Sequence, residues 1–119
     1  MKTKRYAHAC FQDTETSSIY IAGGIDDQYN ELIPTEKWTL EENSWQPSAN
    51  LPESSYFRSS AASSYSEEFI GYMTGEFPSR NIYGLRRRQM EWIKLIKTMK
   101  TGRYRHSLLN IPANQVLGC

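Results

Sequence analysis

The sequence predicts an all-β fold built from repeats of a four-stranded antiparallel unit. Three observations lead to this prediction: short apolar strands end on glycine, turn-forming segments separate them, and an arginine-containing motif recurs along the chain. Only 39% of the 119 residues are apolar, but 13% are aromatic, which argues for a folded chain. We therefore expect a single domain or part of one.

The stretch SIYIAGG (18–24) predicts a short interior strand. Ile19 and Ile21 fall on one face and Tyr20 and Ala22 on the other, so both faces favour burial. The pair Gly23 and Gly24 permits positive φ angles and allows another backbone to approach closely.

Four strands are expected before residue 58, at about 7–12, 18–23, 35–40 and 44–47. The segments DTET, DDQYNELIP and EEN supply the turns between them. Trp38 shares a strand face with Glu36 and Leu40, and Trp45 follows on the next strand. We expect both tryptophans to be buried against a neighbouring unit, together with Tyr83 and Trp92 of the second unit.

The same order of features returns later in the chain. RYAHA (5–9) reappears as RYRHS (103–107), and RSSAA (58–62) lies between them without the histidine. A glycine-ended strand follows each motif, as SIYIAGG, FIGYMTG (69–75) and QVLGC (115–119), and an aromatic strand and a tryptophan follow the first two.

This order resembles the kelch repeat, whose period of about 50 residues matches the spacing of the arginines. The resemblance implies a partial kelch β-propeller, with two four-stranded antiparallel blades (about 5–57 and 58–102) and the start of a third (about 103–119). The second copy departs from the motif, since Thr74 replaces the first glycine and Gly71 stands where the first copy has Tyr20. The positions that carry the motif are Arg5, His8, Gly23, Gly24, Trp38, Trp45, Arg58, Gly75, Tyr83, Trp92, Arg103 and His106.

Closed propellers contain roughly four to eight blades. We therefore expect this chain to be a fragment of a longer protein that supplies the remaining blades. The alternative is that partner chains complete the ring.

The histidines and the motif arginines recur at equivalent repeat positions, which favours structural roles over catalysis or metal binding. His8 and His106 occupy the same position in two repeats, and Cys10 and Cys119 fit no CxxC spacing. The repeated arginines are expected to pair internally, for example with Glu36. We predict no catalytic residues, metal site or cofactor, since no nucleophile elbow, P-loop or HExxH motif occurs.

A basic segment at residues 85–97 allows two interpretations. Taken alone, it resembles a basic amphipathic helix that binds a membrane or calmodulin. Within the repeat it should form a strand pair and a loop, which is our prediction. Three consecutive arginines (86–88) give thin support for nucleic-acid binding, so neither a nucleic-acid nor a membrane partner is expected.

Charge is unevenly distributed along the chain. Residues 1–76 contain five Lys/Arg and twelve Asp/Glu, whereas residues 77–119 contain nine Lys/Arg and one acid. This asymmetry fits an interaction surface, or two solvated faces of one fold, which is the simpler interpretation. No secretory signal or membrane-spanning run is seen in the sequence, so we expect a cytoplasmic location, with the nucleus as the alternative.

The kelch resemblance implies a non-catalytic module that recognises other proteins. Relatives of this kind include BTB–kelch adaptors of ubiquitin ligases and actin-associated kelch proteins, so the expected partner is a ubiquitin-ligase substrate or actin. The alternative is a fragment of a kelch-like propeller enzyme such as an oxidase.

The expected binding surface follows from the alternation of connections in an antiparallel meander. The 25–34 loop should lie at the same end of the strands as the 46–57 connection, with Arg86–Arg88 at the opposite end. Acidic and tyrosine side chains on that surface suit a basic peptide partner. The candidate residues are Asp26, Asp27, Tyr29, Glu31, Glu53 and Tyr56.

Overall fold

The described part of the chain is all-β and forms two four-stranded antiparallel sheets. The computed structural model describes residues 1–52, 60–64, 66–74 and 80–100. Sheet 1 contains, in spatial order, β1 (Ala9–Asp13), β2 (Ser18–Ala22), β3 (Thr35–Thr39) and β4 (Ser44–Ser48). Sheet 2 likewise contains β5 (Ser60–Ser63), β6 (Phe69–Thr74), β7 (Asn81–Arg86) and β8 (Glu91–Thr98). Within these described ranges the chain has no helix that could cross a membrane.

The strands agree closely with those expected from the sequence. SIYIA forms an interior strand between β1 and β3, as its two apolar faces predict. The 85–97 segment forms the end of β7, a turn and β8, and the Met90 amide donates to the Arg86 carbonyl at 3.0 Å across that turn. The strand prediction is confirmed here, and the amphipathic-helix interpretation is wrong.

The connections of sheet 1 lie at the two opposite ends of its strands. At the end that we call the loop end, the 25–34 loop meets the connection that follows β4, where the Leu51 amide donates to the Ile33 carbonyl at 3.0 Å. At the opposite end, which we call the turn end, the β1–β2 and β3–β4 turns meet through the Leu40 amide and the Ser17 carbonyl at 3.2 Å. The β7–β8 turn lies at this turn end as well, because its Arg87 contacts Asp13 and Glu15 beside the β1–β2 turn.

The sheets pack against each other through the inner strand β1, which lies against β5 and β6. The Phe11 ring stacks on Tyr20, with centroids 5.2 Å apart, and meets Trp92 edge-on at 5.8 Å. Apolar side chains of both sheets enclose this aromatic group and form one core. Its buried members are Ala9, Phe11, Tyr20, Ala22, Leu51, Ile70, Met73, Tyr83, Leu85 and Trp92.

Gly71 explains the main departure of the second repeat from the first. A Cβ atom at Gly71 would collide with the Phe11 ring of sheet 1. Tyr20 holds the equivalent place in sheet 1, where its ring stacks on Phe11 instead. Because Gly71 has no side chain, it leaves room for the Phe11 ring of the neighbouring sheet.

The predicted burial holds for two of the four aromatic residues. Tyr83 and Trp92 are buried in the core, but Trp38 and Trp45 are only half-buried. The two tryptophans pair directly across β3 and β4 on the face of sheet 1 that points away from sheet 2. The space between the two sheets is filled by Phe11 and Tyr20, because these residues lie on the opposite face.

The Gly23–Gly24 pair performs both roles expected of it. The φ angles are 70° and 87°, which lie in the left-handed region that favours glycine. A Cβ atom on Gly24 would lie 2.5 Å from the Tyr6 carbonyl oxygen, because the N-terminal segment passes directly beside it.

We expect Gly24→Ala to lower the free energy of unfolding by about 1–3 kcal/mol, since it combines positive φ with a backbone clash. Chemical denaturation of the full chain measures this effect. Gly84→Ala is the comparison without a positive φ: its Cβ would lie 2.6 Å from the Phe69 ring but meets side chains and not backbone, so we expect a smaller loss of stability. Equal stability of Gly24→Ala and wild type would contradict the close approach.

Candidate functional site

The loop end presents a compact loop organised by one carboxylate. Asp26 accepts hydrogen bonds from the Gln28 amide at 2.8 Å, the Asn30 amide at 2.9 Å and the Asn30 side-chain amide at 3.0 Å. The backbone closes the same turn, since the Tyr29 amide donates to the Asp26 carbonyl at 3.1 Å. The side-chain hydrogen bond from Asn30 is the main reason that the pKa of Asp26 lies below its usual range.

Two side chains project outward from this turn. Tyr29 has a φ of 63° and is 84% exposed, and Asp27 is also exposed. Asp26, by contrast, uses both carboxylate oxygens within the loop. Of the three, Tyr29 and Asp27 can contact a partner, whereas Asp26 holds the turn in shape.

The other predicted surface residues divide into two groups. Glu31 is half-buried and its backbone pairs with Ile25 at the base of the loop. Glu53 and Tyr56 lie outside the described residues, as do the motif positions Arg58, Gly75, Arg103 and His106.

Arg5 ties the ends of the loop to sheet 1. Its Nη1 donates to the carbonyls of Gly23 at 3.0 Å and Pro34 at 3.1 Å, which flank the loop on either side. Its Nη2 forms a salt bridge with Glu36 at 3.0 Å, and the Arg5 side chain is fully buried. The expected pairing with Glu36 is confirmed, and the two carbonyl contacts give Arg5 a second role in positioning the loop.

Glu36 also anchors the N-terminal segment. Its Oε1 accepts the Lys2 amide at 2.6 Å, and its Oε2 accepts the Thr3 amide at 3.4 Å. Arg5, Glu36 and the segment between them therefore form one polar cluster beneath the loop.

His8 and Cys10 do not form a metal-binding group with their neighbours. His8 is half-buried, and Cys10 is an exposed free thiol. Among the residues that the structure describes, no group of three or more His, Cys, Asp or Glu side chains is arranged to hold a metal ion.

The three consecutive arginines lie at the turn end, and two of them pair with carboxylates. Arg86 contacts Glu68 at 3.6 Å and Glu91 at 3.4 Å on its own sheet. Arg87 crosses to sheet 1, where it contacts Asp13 at 2.7 Å and Glu15 at 3.3 Å. Arg88 is exposed. This cross-sheet ion pair was missed at the level of sequence, because nothing local connects residues 74 positions apart.

The Asp13–Arg87 pair changes the titration of its members. Burial disfavours the charged form of Asp13, but hydrogen bonds from Arg87 and Thr16 outweigh it, so the pKa of this carboxyl is lowered. The hydrogen bond to Asp13 correspondingly raises the pKa of Arg87. Burial, with a smaller contribution from Asp13, raises the pKa of Tyr20 to about 12.

The lowered pKa of Asp13 predicts a loss of stability in acid. Because its folded pKa lies below the unfolded value of about 3.9, the stabilisation is present above that value and disappears as pH falls through the folded pKa. We expect the free energy of unfolding to drop below about pH 4 in the wild type and to drop less in Asp13→Asn. Urea denaturation of both proteins between acid and neutral pH measures this difference. Identical pH profiles would contradict it.

Comparisons with known proteins add no family assignment. A scan against protein-family models and a search of the curated proteins each found no match.

Proposed function

We propose that this chain is a protein-recognition module of the kelch propeller type, which binds a basic peptide segment at its loop end. The observation that carries the proposal is the pre-shaped 25–34 loop, on which Asp26 fixes the turn and Tyr29 projects into solvent. The order of repeat features and the two antiparallel four-stranded sheets support the propeller assignment.

The anchoring of the loop supports a binding role. Arg5 binds a backbone carbonyl at each end of the loop. Backbone hydrogen bonds connect the loop itself to Tyr6 on one side and to Leu51 on the other. A loop that is already ordered loses little conformational entropy on binding, so more of the contact energy contributes to affinity. Loops on rigid scaffolds commonly carry the binding residues of a protein.

The exposed groups define the chemistry of the partner. The Asp27 carboxylate attracts lysine or arginine, and the Tyr29 ring offers an apolar surface and a face for a cation. Tyrosine is also among the residues that dominate binding energy at interfaces. By resemblance to kelch proteins, the proposed partner is a ubiquitin-ligase substrate or actin in the cytoplasm.

A peptide-selection experiment tests this function. Random displayed peptides are selected on the full chain, and the best binder is synthesised with a fluorescent label for anisotropy measurements. We expect lysine- and arginine-containing peptides to be enriched. Tyr29→Ser should weaken their binding by about tenfold, the effect of losing roughly 1.4 kcal/mol. Asp27→Lys should slow association and reduce its dependence on salt.

The matched control is Glu42→Lys, which reverses one exposed acidic charge on the β3–β4 turn at the opposite end. It changes net charge as much as Asp27→Lys does but leaves the loop intact. Binding that is lost equally in Glu42→Lys would show general electrostatic attraction. Binding that survives both loop variants but is lost in Arg88→Glu would place the interface at the turn end and contradict the proposal.

A further inference from the structure

The turn between β5 and β6 carries a serine whose hydroxyl faces solvent. Ser66 is exposed, and its Oγ accepts the Glu68 amide at 3.0 Å but donates to no other described residue. The Arg87 amide donates to the Glu68 carbonyl at 2.8 Å, so this turn lies directly beside the arginine-containing β7–β8 turn. The Ser66 hydroxyl is therefore both accessible and close to cationic side chains.

The residues that follow Ser66 distinguish it from the other exposed hydroxyl groups. Ser66 is followed by Glu67 and Glu68, and both glutamates are exposed. In the described ranges, the other exposed serines and threonines each lack a pair of acids directly after them, and they are Thr3, Thr14, Thr16, Ser17 and Thr98. An enzyme with a basic substrate site would bind the Ser66 turn in preference to these, because the charges are complementary.

Two arginines of the neighbouring turn have donors that a phosphate on Ser66 can use. Arg87 lines the same cleft as Ser66, which has a volume of about 220 Å³. Both salt bridges of Arg87 use Nη1, and its Nε has no hydrogen-bond partner within the described structure. Arg88 lines the adjoining cleft with Glu67 and Glu68. Guanidinium groups bind phosphate through paired, charge-assisted hydrogen bonds.

The acids at this end of the sheets compete with a phosphate for those arginines. The salt bridges of Arg86 and Arg87 already engage the carboxylates of Asp13, Glu15, Glu68 and Glu91. Glu67 and Arg88 form no salt bridge with any described side chain. A serine phosphate carries a charge of about −1.5 to −2 at pH 7, so it attracts Arg88 more strongly than the single charge of Glu67 does.

We propose that Ser66 is a phosphorylation site for a kinase that recognises acidic residues after the serine, and that Arg88 binds the resulting phosphate with support from Arg87. In the transfer, the Ser66 Oγ forms a bond to the γ-phosphorus of a nucleoside triphosphate. The bond from that phosphorus to the nucleoside diphosphate breaks, and the hydroxyl proton passes to a base of the kinase. The phosphate then links the β5–β6 turn to the β7–β8 turn. The inference rests on the turn end and is independent of the peptide-binding loop.

Phosphorylation of the full chain by a purified acid-directed serine kinase with ATP tests the site, and mass spectrometry locates the phosphate. We expect phosphate at Ser66 and none at this position in Ser66→Ala. Glu67→Gln with Glu68→Gln should slow the reaction about tenfold, because the acidic recognition is lost. The matched control, Glu41→Gln with Glu42→Gln, removes the same charge from the exposed β3–β4 turn and should leave the rate unchanged. An unmodified Ser66, or equal rates in both glutamine pairs, overturns the proposal.

A ³¹P NMR titration of the phosphorylated full chain tests the role of Arg88. The second pKa of a serine phosphate is about 6, and a bound guanidinium lowers it by favouring the dianion. Arg88→Met should therefore raise the pKa of the phosphate by a few tenths of a pH unit, the size expected of an exposed ion pair. Arg80→Met removes an exposed arginine near the start of β7 and should leave this pKa unchanged. An equal change in both variants, or no change in Arg88→Met, would show that Arg88 does not bind the phosphate.

Discussion

Replacement of Arg5 by methionine is expected to lower the free energy of unfolding by about 3–5 kcal/mol, the cost of leaving a buried partner charge uncompensated. Glu36 is 7% exposed at its side chain and would lose the guanidinium that pairs with it, and the Gly23 and Pro34 carbonyls would lose the donors that Arg5 supplies. Denaturant unfolding of the full chain measures the change. The substitution should also loosen the 25–34 loop, since both of its ends depend on Arg5.

The matched control is Arg86→Met, which removes a partly exposed arginine from two longer contacts. Exposed ion pairs contribute about 0–1 kcal/mol, so this variant should be nearly as stable as the wild type. The double variant Arg5→Met with Glu36→Leu should recover part of the loss, because no buried charge remains. If Arg5→Met costs no more than Arg86→Met, the buried cluster does not support the loop as described.

Replacement of Phe11 by alanine is the second large effect, with an expected cost of about 3–5 kcal/mol. The Phe11 ring lies between Tyr20 of sheet 1 and Trp92 of sheet 2 and contacts both. Its removal leaves a cavity above Gly71. The free energy of unfolding from urea titration measures this loss.

A double-mutant cycle tests the cause of the Phe11 effect. Gly71→Ala should destabilise the wild type, because its Cβ collides with the Phe11 ring. In the Phe11→Ala background the same methyl group has room, so its cost should disappear or change sign. Additive effects of the two substitutions would show that Phe11 does not occupy the space above Gly71.

The sequence predicted local structure best at residues that favour one backbone conformation or require one kind of partner. Gly23 and Gly24 predict positive φ and close backbone approach, because a side chain is incompatible with both. Arg5 predicts an internal carboxylate partner, because a recurrent arginine in a strand-rich core needs one, and Glu36 fills that role. The strands followed from the turn-forming segments that separate them.

The sequence was less informative about which face of each sheet meets its neighbour. Phe11 on β1 and Trp38 on β3 are both large aromatic residues, and side chains along each strand point alternately to the two faces of the sheet. Periodicity alone does not say which of the two residues faces sheet 2. The sequence also did not reveal the role of Asp26, since an acidic residue in a loop can bind a partner or stabilise its own turn through hydrogen bonds. Here the Asn30 amides bind its carboxylate, which leaves Asp27 and Tyr29 as the contact residues.

The most direct test of the recognition surface is an amide chemical-shift titration of the ¹⁵N-labelled full chain with the selected basic peptide. We predict that the largest shifts occur at Asp27, Tyr29 and Asn30, with smaller shifts at Gly23, whose carbonyl binds Arg5, and at Gly24 beside the loop. The amides of the turn-end arginines should remain unchanged. Shifts concentrated at Arg87 and Arg88, with an unperturbed 25–34 loop, would contradict the account.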